Sequence, residues 1–118
     1  MSGTIDRLND LKISEHFALR EFECRCCRRV MLSPALLVRL EALRALWGKP
    51  VVITSGYRCP SHNQTVGGVP NSLHTKGRAA DIAAERREQD AVAAMARRVG
   101  FDSMITYGAR NFIHLGVK

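Results

Sequence analysis

Hydrophobic positions along this chain change period several times, and each change marks an element. Leu36, Leu40, Leu43 and Trp47 recur at helical spacing and should line one buried stripe. Ser33 precedes Pro34, an N-cap followed by the residue suited to the first helical position, and Gly48-Lys49-Pro50 closes the helix. Val51-Val52-Ile53-Thr54 is a β-branched run that predicts a buried strand and delivers the chain into Ser55-Gly56-Tyr57-Arg58. Residues 60 to 77 contain Pro60, Gly67, Gly68, Pro70 and Gly77 and read as an irregular loop. Arg78 to Ala83 regains strand character, with Ala79, Asp81 and Ala83 on one face. A second helix is expected from about Glu85 to Val99, burying Val92, Met95, Ala96 and Val99, with Gly100 as its stop. Met104 to Tyr107 and Phe112 to Val117 then suggest a hairpin around Gly108-Ala109-Arg110-Asn111. In the last strand Phe112, His114 and Gly116 share one face, while Ile113, Leu115 and Val117 take the other. Upstream, Ser14 to Phe22 is a short turn or helix against the core.

Length and composition bound this picture. At 118 residues and 46% hydrophobic, the chain can bury one core and is too short for two ordinary domains. A single α+β domain over 1–118 is therefore expected, with 1–12 as a flexible N-terminal segment. No run of about 18 apolar residues occurs, so no membrane span is expected. Met1-Ser2-Gly3-Thr4-Ile5-Asp6-Arg7-Leu8 lacks the basic-then-apolar pattern of a secretory signal. The formal charge of +7 favours an anionic partner, whether nucleic acid, membrane surface or cell-wall polymer. Arg25, Arg28 and Arg29, and Arg97 with Arg98, form basic clusters without a nucleic-acid-reading motif. No nucleic-acid partner is expected.

The candidate chemistry lies in three separated residues. His74 and Asp81 stand seven positions apart, and His114 follows inside Asn111-Phe112-Ile113-His114-Leu115. Two imidazoles and one carboxylate are a common way to hold a catalytic zinc with a position left open for water. Asp81 sits in Ala-Ala-Asp-Ile-Ala, where an unpaired buried carboxylate is costly. Gly77, between the first two, would let the chain turn closely around an ion. By spacing alone, packed or surface histidines remain an equal reading.

The ordered motifs Ser55-Gly-Tyr-Arg-Cys-Pro-x-His-Asn63, Gly67-Gly-Val-Pro-Asn-Ser-x-His74 and Gly77-x-Ala-x-Asp-Ile82 resemble the zinc D-Ala-D-Ala carboxypeptidase family. That family includes phage L-alanyl-D-glutamate endopeptidases and vancomycin-resistance dipeptidases, and shares a fold with hedgehog signalling domains. The resemblance runs from about Ile13 to Val117. It implies an α+β domain with a central antiparallel sheet flanked by helices. It also implies Zn2+ held by His74, Asp81 and His114, and Arg58 as the substrate-binding or oxyanion arginine. The implied substrate is the peptidoglycan stem peptide, cut by a monomer acting as D,D-carboxypeptidase or endolysin-like endopeptidase. A non-catalytic, zinc-stabilised wall-binding module is the alternative. Such a protein, made in the cytoplasm without a signal peptide, would reach the wall through phage or another route.

Other residues leave choices open. Asn63 and Ser72 either bind peptide or tie the loop together, and His62 is either close to the site or exposed. Relatives usually carry Glu, Asp or His two or three positions before the last zinc ligand, where this chain has Asn111 and Phe112. Many small relatives also have Asp where this chain has Gly116. Cys24, Cys26, Cys27 and Cys59 allow a bridge to Cys59, reduced thiols, or a four-thiolate zinc for which Cys-x-Cys-Cys is poor spacing.

Overall fold

Four strands, β1 (Ile53–Ser55), β2 (Ala79–Ala83), β3 (Ser103–Ile105) and β4 (Phe112–Gly116), pair antiparallel in the order β1-β2-β4-β3. The computed structural model describes residues 9–118; the first eight positions of the expected N-terminal segment lie outside the described residues. The expected α+β domain with a central antiparallel sheet is what forms.

The sheet has two chemically different faces. Ala80 and Ile82 of β2 pair with Leu115 and Ile113 of β4, and all four are fully buried. Against them pack helix α1 (Pro34–Trp47), through Leu36, Leu40 and Leu43, and helix α3 (Gln89–Arg98), through Val92 and Ala96. Phe17 and Phe22, with ring centroids 5.8 Å apart, join the same core. The opposite face carries Ala79, Asp81 and Ala83 opposite Gly116, His114 and Phe112, as period-two alternation requires.

Local signals set α1 as expected. Ser33 Oγ accepts from the Ala35 N–H, Pro34 begins the helix, and Gly48 ends it with a left-handed φ of 74°. A side chain at Gly48 would face strain in that conformation.

Three expectations need correction. The run Val51 to Thr54 is not a buried strand: β1 begins at Ile53, and Val52 is 54% exposed. An edge strand covered on one side alternates instead of staying dry. Residues 60 to 77 are not wholly irregular, because Pro60–Thr65 forms helix α2 and Leu73–Lys76 a 3-10 turn. Cys59 caps α2 by accepting from His62 N–H, with Pro60 at the first helical position. The second long helix starts at Gln89 after a 3-10 turn at Arg86–Glu88, and Met95 and Val99 are only half-buried. The hairpin through 108–111 forms, its first strand ending at Ile105.

Candidate metal centre

The β2–β4 register places Asp81 directly opposite His114. Opposed residues in an antiparallel pair project to one face, so carboxylate and imidazole meet there. His74 arrives from the 3-10 turn, which Ser72 caps through its Oγ and Gly77 ends with φ 67°. A Cβ at Gly77 would collide with the Met31 carbonyl. The close turn expected at Gly77 is therefore real, though what it hugs is the chain before α1.

Three ligand atoms converge. His74 Nε2 lies 3.2 Å from Asp81 Oδ1, and His114 Nδ1 lies 3.2 Å from each of these atoms. His74 is 2% exposed and Asp81 4%. His74 Nδ1 sits 2.8 Å from the Gly56 carbonyl oxygen. A carbonyl only accepts, so Nδ1 carries the proton and Nε2 turns its lone pair toward the carboxylate. Facing lone pairs on Nε2 and Oδ1 call for a positive centre between or beside them. The donor set and its tautomer therefore fit a zinc-type cation. Burial pushes the Asp81 carboxyl upward, but the His114 and His74 imidazoles beside it outweigh this and hold it at about 2.

Arg58 is built into the same cluster. Its Nε donates to Ser55 Oγ, NH1 to Asn63 Oδ1 and NH2 to Asp81 Oδ2, at 3.3, 3.4 and 3.3 Å. These bonds use three of the five guanidinium N–H groups. Asn63 Nδ2 donates to the Val69 carbonyl, so Asn63 ties the loop and steadies Arg58. Ser72 caps the His74 turn and also lines the cleft. His62 is half-buried in α2 and is not among the residues lining the cleft.

That cleft has a volume of about 290 Å³ and is lined by the three candidate ligands, Arg58, Ser72, Tyr107, Arg110, Phe112, Ile105 and the segment Val66 to Val69. Tyr107, Arg110 and Ile105 were not singled out as site residues from the sequence. Their only signal is position, in and beside the predicted hairpin turn. Arg110 lies over the rings of Tyr107 and Phe112, at 6.0 and 5.9 Å. Burial, with the nearby charge of Asp81, raises the Tyr107 phenol and keeps it protonated. Buried Gln89 holds this wall in place: it donates to the Ala84 and Arg110 carbonyls and accepts from the Tyr107 N–H.

The suspected base positions separate. Phe112 shares the His114 face and lines the cleft, whereas Asn111 is exposed and borders a different surface hollow. At Gly116, an added Cβ would sit 2.8 Å from Leu73 Cδ1 and 3.5 Å from His114 Nε2. A side chain there would reach the back of that imidazole; this chain offers none.

Residues 15–116 match the model of the family described as Peptidase M15. The chain belongs to the peptidase M15 family. It is also 38% identical over 71 residues to the zinc D-Ala-D-Ala carboxypeptidase of Streptomyces albus G, a match covering 59% of this chain. The match spans 28% of that relative's length. Among the described residues, no helix of this M15 member is long and apolar enough to cross a membrane.

Proposed function

We propose that this M15 domain is a zinc-dependent peptidase that removes D-alanine from peptidoglycan stem peptides, working as a monomer. The convergence of His74 Nε2, Asp81 Oδ1 and His114 Nδ1 beside a cationic cleft carries the reading. These three residues would hold the zinc, which when bound supplies a Lewis acid for the scissile carbonyl and for water.

The chain's own residues do the rest. Arg58 fixes the outer oxygen of Asp81 and keeps N–H groups for a substrate oxygen that gains charge. Arg110, which also lines the cleft, suits a terminal carboxylate, and this favours carboxypeptidase over endopeptidase action. The relative's name agrees with that choice. The protonated Tyr107 phenol, which also lines the cleft, is available to donate to substrate, and Phe112 and Ile105 add apolar lining. Basic charge draws the domain to an anionic wall.

One observation favours the second reading, a zinc-stabilised wall-binding module. Among the described residues lining the cleft, Asp81 is the only carboxylate, and it is committed to the cluster. Digestion of purified peptidoglycan and of a D-Ala-D-Ala-terminated stem peptide, followed by mass spectrometry, separates the readings. Loss of one D-alanine supports the proposal, and internal cuts indicate endopeptidase action. No cleavage combined with co-sedimentation with walls supports the binding module.

A further inference from the structure

The chain brings a second set of metal-ligating atoms together outside the cleft. Cys24, Cys26 and Cys27 lie on one turn, and Cys59 stands at the start of α2, yet their four sulfurs all fall within 4.8 Å of one another. Cys26 Sγ is 3.3 Å from Cys59 Sγ and 3.6 Å from Cys24 Sγ. A tetrahedral zinc with Zn–S bonds of about 2.3 Å needs sulfurs about 3.8 Å apart. The observed spacing is close to that. None of the four is in a disulfide.

The backbone explains how adjacent cysteines meet this requirement despite their spacing in sequence. The turn reverses tightly: Arg28 N–H donates to the Cys24 carbonyl, Cys24 N–H donates to the Arg29 carbonyl, and Arg28 adopts a left-handed φ of 60°. Two backbone N–H groups point at sulfur, from Cys59 to Cys24 Sγ and from His62 to Cys59 Sγ, each at 3.4 Å. Such donors stabilise thiolate over thiol. Binding would exchange four S–H protons, released to solvent, for four Zn–S bonds and leave a site of charge −2. Arg25, Arg28 and Arg29 supply positive charge on the same segment.

We propose that Cys24, Cys26, Cys27 and Cys59 form a structural zinc site that clamps the N-terminal segment to the loop carrying Arg58. The clamp would act where the chain already joins itself, since Tyr57 N–H donates to the Phe22 carbonyl at 2.8 Å. This site is separate from the histidine–aspartate centre and stands whether or not that centre is catalytic.

Cobalt titration of the full chain tests it. Thiolate-to-cobalt charge-transfer absorption in the near ultraviolet arises only from sulfur ligands, which the histidine–aspartate centre lacks. Wild type and the His74→Ala/His114→Ala double variant should both show the band, and the double variant should retain about one equivalent of zinc. Cys27→Ser, at an exposed position, should remove most of the band and that equivalent without disturbing the core. Thiols counted with a chromogenic reagent should be protected by zinc and released by a chelator. The proposal is overturned if wild type gives no charge-transfer band, if zinc leaves all four thiols reactive, or if the mass of the purified protein reveals a Cys26–Cys59 disulfide.

Discussion

Arg58 NH2 donates to Asp81 Oδ2 at 3.3 Å while Asp81 Oδ1 faces both histidines. One carboxylate thus joins the arginine of the cleft to the ligand cluster. The sequence suggests no acidic partner near Arg58, because this one lies 23 positions away. A purely substrate-directed role, with the metal site indifferent to Arg58, is therefore not what the geometry supports. Arg58→Ala should cut turnover by about 10²-fold or more and also weaken zinc retention, measured by chelator competition. Arg58→Lys should recover part of the retention and little of the turnover, since a point charge cannot reproduce the fork.

The ligand set makes its own prediction. His74→Ala and His114→Ala should each lose the zinc of this centre, read by elemental analysis of protein purified without added metal. Asp81→Asn should lose it too, because the amide removes the charge. Unchanged content in all three would refute the assignment.

The proton acceptor can be tested by placing one. General-base assistance is worth about 10²–10⁴-fold, so the wild-type chain should cleave slowly. Phe112→Glu puts a carboxylate on the cleft face and should speed hydrolysis, whereas Asn111→Asp, outside the cleft, should not. Steady-state rates on a D-Ala-D-Ala-terminated peptide decide between them. An increase from Asn111→Asp alone would show that the turn rearranges on binding.

Gln89 is 2% exposed, and its amide joins three backbone groups that frame Tyr107 and Arg110. Gln89→Leu leaves those groups without their partner, at about 1–3 kcal/mol each for those that stay dry. The expected result is a lower Tm and a raised KM with zinc content intact. A normal KM in a folded variant would mean that the hairpin holds itself.

Acid should weaken the attachment of residues 14–16 to α1. Glu41 accepts from Ser14 Oγ and His16 N–H and pairs with His16 Nδ1. Burial raises its carboxyl, but these bonds outweigh that and leave its pKa lowered. A depressed folded pKa contributes stability that is present above the unfolded value, about 4.3, and is lost as pH falls through the folded one. Glu41→Gln should lower the denaturant midpoint at pH 7 and leave a shallower decline below about pH 5. A decline as steep as wild type would assign the acid sensitivity to another carboxylate.

Much of this protein is determined by residues a few positions apart. Ser33, Pro34 and Gly48 set both ends of α1, and alternation alone put Asp81 on one face of β2 and His114 on one face of β4. Those signals are local: a cap or a pleat is decided within a turn or two of chain. The motif from Ser55 to Ile82 also carried the family, which the match over residues 15–116 shows. Tertiary structure decided what local chemistry could not. Asp81 meets His114 only because β2 and β4 pair in one register, and a slip by one residue would turn the two side chains to opposite faces. His74 points its lone pair inward only because the Gly56 carbonyl accepts a hydrogen bond from its Nδ1–H. Arg58 finds Asp81, Gln89 finds the Tyr107 hairpin, and Cys59 finds three cysteines more than thirty positions earlier. Each of these contacts depends on how the loops close over the packed sheet, a long-range outcome that no nearby residue records.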